Sequence, residues 1–532
     1  MKGLLRILCV LMIIPGHAAG QELFQLAGNG ITIMCDEASP GSTGEVNGVV
    51  YTAIDYDMLI DRLRSEGDLT TVCTSLITYM DAVFFNKPLF NQNIESWDMS
   101  NVTSTHSMFN RAASFNQDIS IWDVSSVTDM SGMFKEAERF NQDIGSWEVT
   151  SVTDMSEMFD GAVSFNQNIG NWEMRSVVNV SGMFRGVVQF NQPIGGWELT
   201  SVTDMSSMFE QATRFNQDIG GWSVGSVKDM RLMFWQASAF NQNISDWDVD
   251  SVTTMRAMFS EAESFNSPLD TWNVGSVTDM ERMFSDAESY NQDMSNWNVS
   301  SVTTTRGMFL GAASFNGDIG NWQLSSLKDM AAMFANAPLF NQDISRWNVG
   351  SVTNMHALFA RAASFNQDIS AWDVGSVTDM TFMFNSAGSF DQDLSRWCVT
   401  NIRREPTEFA LSSPLQESGK PIWGTCPGVT SVEEEQQHLP SVFALAQNYP
   451  NPFNPTTIIP FDLPESATVA LVIYNMLGQH VAEFPDARYS AGSHEVTFEA
   501  SGLPTGVYMA VLSATFNSGL LARQSIRMTL MR

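Results

Sequence analysis

The sequence predicts a repeat solenoid, with short strands and helical turns in each 25-residue coil, followed by a small all-β sandwich. Three observations carry that expectation. Tryptophan recurs every 25 residues from Trp97 to Trp397, which accounts for thirteen of the fifteen in the chain. A fixed period of 20 to 50 residues marks architectures in which each unit contacts only its neighbours. The period stops at residue 400, and after Cys426 the composition shifts to short apolar runs punctuated by Gly478, Gly492 and Gly506. Glycine-bounded runs of that kind read as antiparallel strands.

Residues 1–20 read as a secretory signal. Lys2 and Arg6 give the charged start, Leu8 to Pro15 the apolar stretch, and Ala18 and Gly20 the small residues before a cut. Cys9 lacks the small residues that a lipid-anchor motif places just before it. No later stretch reaches the roughly 18 apolar residues of a membrane span. The balance of 59 Asp and Glu against 27 Lys and Arg, a net charge of −32, argues against nucleic acid, whose phosphates need a basic face. It suits a cation-rich setting or a basic partner.

Residues 21–75 read as an N-terminal cap. Ile31 to Met34 and Val49 to Ile54 suit short strands around the Asn47-Gly48 turn, and Asp55 is placed to cap a helix holding Leu59 and Leu63. Once Cys9 leaves with the signal, Cys35, Cys73, Cys398 and Cys426 remain, one pair bracketing each end of the repeats. Export to an oxidising compartment makes Cys35–Cys73 and Cys398–Cys426 the natural disulfides. The second pair belongs to a C-terminal cap at 401–426. Zinc is a poor alternative, because neither CxxC spacing nor a histidine cluster accompanies these cysteines.

Thirteen copies of the repeat fill residues 76–400 without insertion or deletion. In the copy Ser126–Thr150, Met130, Met133, Phe134 and Ala137 follow the i, i+3, i+4, i+7 spacing of a helix face. Phe140 and Ile144 flank a polar run that suits a strand entering a turn, and Trp147 and Val149 alternate as a second extended stretch. Coils stacked at about 4.8 Å would extend roughly 60 Å.

The tryptophan column reads as a buried aromatic ladder, with exposed rings for sugar stacking as the alternative. The phenylalanine column reads as core. Asn91 through Asn366 form a column that can satisfy the backbone of a neighbouring coil, as in a buried asparagine ladder. Asp118, Asp143, Asp218, Asp293, Asp318, Asp343, Asp368 and Asp393 share another position. Carboxylates about 5 Å apart repel by roughly 0.8 kcal/mol per neighbour in water. Solvent, backbone N–H groups or bound cations must offset that. Asp118, Asp143, Asp318, Asp343, Asp368 and Asp393 are therefore calcium candidates, although the DxDxDG and glycine-rich calcium patterns are missing. The most variable positions follow the Met-Phe pair, as at Glu210 and Trp235. Variation inside a rigid frame marks a solvent face where ligand contacts can be diversified.

The cycle Met-Phe…Ala…Phe-Asn-Gln-Asp-Ile…Trp…Val…Val-Thr-Asp-Met resembles the 25- or 26-residue surface-protein repeat of bacteria and mycoplasmas, grouped with BspA-like proteins and distantly leucine-rich-repeat-like. Residues 24–35 and 47–52 are similar to the front cap of such proteins. The resemblance implies a right-handed, leucine-rich-repeat-like solenoid at the cell surface, often associated with adhesion, and it brings no catalytic residues. Phe, Met and Trp stand here in place of Leu.

Residues 427–447 contain Glu433-Glu434-Glu435-Gln436-Gln437 and read as a linker. Beyond it come Asn451-Pro452-Phe453-Asn454-Pro455-Thr456-Thr457, Tyr474-Asn475-Met476-Leu477-Gly478-Gln479 and Leu503-Pro504-Thr505-Gly506-Val507-Tyr508. These resemble the type A C-terminal sorting domain of the type IX secretion system. The resemblance implies that residues 448–532 engage that machinery, and that the cargo is displayed on the outer-membrane surface or released.

An enzyme finds little support. His106 and His356 stand 250 residues apart, and Gly221-Trp222-Ser223-Val224-Gly225 matches GxSxG only through ordinary repeat columns. The reading is a secreted, surface-displayed binding protein for an extracellular protein or glycan, with no catalytic residue and no required cofactor. A passive surface coat or spacer, stiffened by calcium, is the alternative, and an exported hydrolase a third.

Overall fold

The computed structural model describes residues 23–427, 442–516 and 519–531. The expected signal segment lies outside the described residues, as do 428–441 of the expected linker. The chain divides into two compact units, Met1–Gly428 and Val429–Arg532.

The helical-turn solenoid expected from the sequence is wrong. Among the described residues the α-helix is confined to α1 (Tyr56–Arg64), outside the repeats, and no repeat contains a strand. Each 25-residue unit is built from turns. Within one unit Met133 N donates to Met130 O, Lys135 N to Gly132 O, Ala137 N to Phe134 O and Phe140 N to Ala137 O, at 3.0–3.2 Å. Repeated turns bury every third or fourth residue just as a helix does, so the Met130–Ala137 spacing could not separate the two. Left-handed residues decide the matter. Gly132 (φ 59°) and Glu136 (φ 54°) break any helix, and the same two columns are left-handed in copy after copy. Most of these residues are not glycine, which costs roughly 1–2 kcal/mol each and persists only where neighbours enforce it.

The neighbouring unit is what enforces it. Met130, Gly132, Phe134 and Glu136 donate their N–H groups to the carbonyls of Asp154, Ser156, Met158 and Asp160, at 2.6–2.9 Å. One parallel bridge per unit continues the series from Tyr79↔Ser104 to Asn354↔Asp379. The expected strand at Trp147–Val149 is absent for the same reason: its backbone closes turns, as when Val152 N donates to Val149 O. The units thus stack in register through backbone bonds, without extended strands.

The stack is filled by aromatic rings. Phe134 and Phe140 lie 3.8 Å apart in one unit, and Phe134 and Phe159 lie 5.8 Å apart across two. Each grid tryptophan is buried, and its indole Nε1–H donates to a carbonyl 28 residues back. For Trp222 the acceptor is Ile194 O at 3.0 Å. That carbonyl also accepts Trp197 N in its own turn, so both lone pairs are used. The buried reading of the tryptophan column is the one the structure shows.

Tyr290 takes a phenylalanine position in the stack, fully buried, and its hydroxyl has no hydrogen-bond partner among the described residues. Burial pushes its phenol pKa well up. An unpaired buried hydroxyl costs about 1–3 kcal/mol. Tyr290→Phe is therefore expected to raise the unfolding midpoint, which chemical denaturation will read directly.

The front of the first unit carries β1 (Gln25–Leu26) paired with β2 (Ile33–Met34), and β3 (Thr43–Val46) paired with β4 (Val49–Ala53). β4 runs parallel to β5 (Val72–Cys73). Asp55 Oδ1 accepts from Met58 N at 3.0 Å and caps α1, whose Leu59 is buried against the stack. Cys35–Cys73 and Cys398–Cys426 are disulfides, closing separations of 38 and 28 residues.

The second unit holds two antiparallel sheets. One is β10-β7-β6 (Gly492–Glu499, Thr456–Leu463, Ala444–Leu445). The other is β12-β11-β8-β9 (Leu521–Leu530, Gly506–Phe516, Ala467–Asn475, His480–Tyr489). Ile459 and Phe461 from the first sheet share a core with Ile473, Leu512 and Met528 from the second. β6 falls within the stretch read as linker, and Phe443 beside it is buried. Asn448 is buried too, donating to Thr457 Oγ1 at 2.9 Å and fastening the segment that opens on Asn451-Pro452-Phe453. Tyr508 Oη donates to Pro504 O at 2.6 Å, closing the Leu503–Tyr508 turn.

Candidate functional site

The backbone ladder from Met130 to Glu136, repeated in every unit, builds one continuous face. Its outward positions are the variable ones. Over the front units they form an ion network that joins one unit to the next. Lys135 Nζ lies 2.5 Å from Glu157 and 3.1 Å from Asp160, and Arg185 donates to both carboxylates at 2.6–3.0 Å. Asp160 is buried, so its charge needs both cations. Its hydrogen bond raises the Arg185 pKa further, with Glu157 and Glu210 adding to the effect. For Lys135 burial pulls the pKa down, but its hydrogen bonds to Glu157 and Asp160 outweigh it and the net shift is upward.

Glu210 and Trp235 both lie on this face, half-buried. Trp235 Nε1 donates to Glu261 Oε1 at 3.1 Å, and Gln236 Nε2 donates to Glu261 Oε2 at 2.7 Å. The indole is therefore tied to the next unit while staying half-exposed. Nothing in the Trp235 column by itself reveals Glu261. The pair becomes visible only when a residue is compared with the one 26 positions on.

Farther along, the face opens into a hollow of about 370 Å³ lined by Leu310, Ala332, Ala335, Ala357, Arg361 and Phe382 among others. The sequence reading missed this place. The available signal was two successive copies, Ala331–Asn336 and His356–Arg361, with small residues where other copies carry Lys135, Arg185 or Trp235.

The aspartate column lies elsewhere in the unit. Asp118, Asp143, Asp318, Asp343, Asp368 and Asp393 are exposed, and each Oδ1 accepts the backbone N–H two residues on, at 2.9–3.0 Å. Asn168 and Asn243 make the same turn. Among the described residues no group of three or more His, Cys, Asp or Glu side chains is arranged to hold a metal ion. The hydroxyl and backbone N–H of Ser345, Ser370 and Ser395 hold the carboxyls of Asp343, Asp368 and Asp393 below the usual carboxylate range. A folded-state pKa below the unfolded one contributes stability above the unfolded value, about 3.9, and loses it as pH falls through the folded value. The triple variant Asp343→Asn, Asp368→Asn, Asp393→Asn keeps the turn acceptor. It is expected to unfold at a slightly lower midpoint than the parent at pH 7 and to lose less of it in acid, so that the two converge below about pH 4.

The asparagine ladder forms, but at the surface rather than in the core. Asn116 Oδ1 accepts Asn141 N at 2.9 Å, and Gln142 Nε2 donates to the same oxygen at 3.0 Å. Both asparagines are half-buried and several others in the column are exposed. His106 and His356 are engaged separately, with Ser131 and Thr381.

Comparison with known families bears on both units. No curated protein and no solved structure matches the chain. Residues 447–519 match a secretion system C-terminal sorting domain. The protein is exported through the type IX pathway to the cell surface or the extracellular space. Among the described residues no helix is long and apolar enough to cross a membrane. Residues 56–168, 142–244, 218–322 and 308–420 each match the family described as "Mycoplasma protein of unknown function, DUF285". Together these matches span more than half of the 532 residues, and the chain belongs to that family.

Proposed function

We propose that the protein is a non-enzymatic surface binder, an adhesin that meets an extracellular protein or glycan through the ladder face. The carrying observation is the contrast within one unit. The turn columns repeat almost unchanged, whereas the outward positions of the ladder run from Lys135 and Arg185 through Trp235 to Ala335 and Arg361. A frame held by backbone bonds tolerates such change, and a diversified face on a rigid frame is what a binding surface needs. Kinship with BspA-like adhesins is part of this proposal. Export to the cell surface supports it, because a binder there meets partners in solution or on other cells.

The test is to probe a panel of glycans and extracellular matrix proteins with the full chain, with calcium and with chelator. Specific, saturable capture is expected, weakened at least tenfold by Glu210→Ala with Trp235→Ala while the unfolding midpoint changes little. Capture of nothing in either condition would overturn the reading in favour of a passive coat. Loss of capture in chelator alone would move the site to the aspartate column.

A further inference from the structure

We infer that the hollow around Ala335 is a pocket for a polypeptide segment that presents an aliphatic side chain beside a carboxylate. The inference rests on the ladder face being the binding face, and it names the partner class for one part of it.

Four alanines, Ala332, Ala335, Ala357 and Ala360, form an apolar floor, with Leu310 and Phe382 as walls. Each alanine replaces a larger residue found at the same column elsewhere. Trp235 corresponds to Ala335, Leu232 to Ala332, and Arg185 and Lys135 to Ala360. The depression is thus an omission from the frame, open over two successive units. Phe382 lines one side of the hollow. It is a bulky aromatic at φ 61°, half-exposed, with its ring edge-on to His356 at 5.6 Å. The left-handed backbone is common to the whole column, Ala332 and Ala357 included, so what is particular to this position is the bulky side chain. A half-exposed phenylalanine there gives an apolar ligand a wall it would otherwise lack.

Charge selects the occupant. The chain as a whole carries −32, yet positions 306–311, 331–336 and 356–361 contain neither Asp nor Glu. At the rim, Glu408 is occupied by Asn385 Nδ2 at 2.7 Å. Arg361 is exposed and makes no ion pair or side-chain hydrogen bond among the described residues. A free guanidinium over an apolar floor pairs bidentately with a carboxylate while the floor takes an aliphatic group. Buried aliphatic anchors ringed by polar contacts are how protein interfaces concentrate their affinity. A glycan presents no comparable aliphatic side chain.

The experiment titrates the full chain with a fluorescent peptide of alternating leucine and aspartate, against a leucine–lysine peptide and an oligouronate. Two variants borrow residues this chain already carries at the same columns. Ala335→Trp copies Trp235 and fills the hollow, and Arg361→Glu copies Glu261 and reverses the rim charge. The leucine–aspartate peptide is expected to bind at least tenfold tighter than the leucine–lysine peptide. Arg361→Glu should weaken it at least tenfold, and Ala335→Trp should abolish saturable binding. No binding of the leucine–aspartate peptide, or binding unchanged in both variants, would overturn the pocket. Equal or tighter binding of the oligouronate that Ala335→Trp blocks would replace the peptide with an acidic glycan and overturn the partner class. If Glu210→Ala with Trp235→Ala weakens capture on the panel while both hollow variants capture normally, the pocket fails and the face survives.

Discussion

Replacing Trp222 by alanine is expected to lower stability by about 3–5 kcal/mol, the largest single-residue effect in the stack. The indole is buried between Trp197 and Trp247, each 6.2 Å away, and its loss leaves a cavity that two rigid neighbouring units cannot collapse into. Trp222→Phe separates packing from hydrogen bonding. It removes the bond to Ile194 O, but that carbonyl keeps the turn bond from Trp197 N, so no buried acceptor is orphaned. The hydrogen-bond share of the loss should be only about 1 kcal/mol. Trp235→Ala is the contrast, because that indole is half-buried and bonded to a side chain, Glu261. Denaturant midpoints for the three variants should fall in the order Trp222→Ala lowest, Trp222→Phe next and Trp235→Ala closest to the parent. If Trp222→Ala and Trp235→Ala shift equally, the column is not the core.

Removal of a disulfide should rank second. Cys35–Cys73 and Cys398–Cys426 close separations of 38 and 28 residues. In the chain-entropy account, loops of that size contribute about 4 kcal/mol each. The position of the bond matters as much as its size. Repeat stacks open from their ends, and Cys398–Cys426 ties the segment holding Phe409 onto the last unit, where Phe384 N donates to Phe409 O at 2.7 Å. The paired variant Cys398→Ser, Cys426→Ser should become sensitive to limited proteolysis between about residues 380 and 426, with the front units protected until global unfolding. Uniform cleavage along the stack would show that the last bridge does not guard the end.

Much of this was legible because the period is so strict. The tryptophan, phenylalanine and asparagine columns each identified a real in-register ladder, and the two disulfides followed from cysteines placed at the ends. The helix was misread for a physical reason. Met130, Met133, Phe134 and Ala137 satisfy helical spacing, but the backbone N–H groups of Met130 and Phe134 bond forward to the next unit. Side-chain periodicity reports which residues are buried, and it does not report where the backbone hydrogen bonds go. The left-handed columns were hidden for a related reason. Glu136, Glu157 and Leu232 occupy them without the glycine that usually announces such a conformation.

The candidate site was only half legible. The variable positions after the Met-Phe pair, Glu210 and Trp235 among them, fall on the ladder face. The hollow escaped notice because it is made by what is missing, four alanines in place of larger neighbours, and because Phe382 enters it from a different unit.

The most direct measurement compares two sets of substitutions in one capture assay on the panel of glycans and matrix proteins. The ladder-face set is Glu210→Ala, Trp235→Ala and Arg361→Glu, and the turn-column set is Asp118→Asn, Asp343→Asn and Asp368→Asn. Loss of specific capture with the first set, and retention with the second, is the expected result. Retention with the first set, or loss only with the second, would contradict a ladder-face binder.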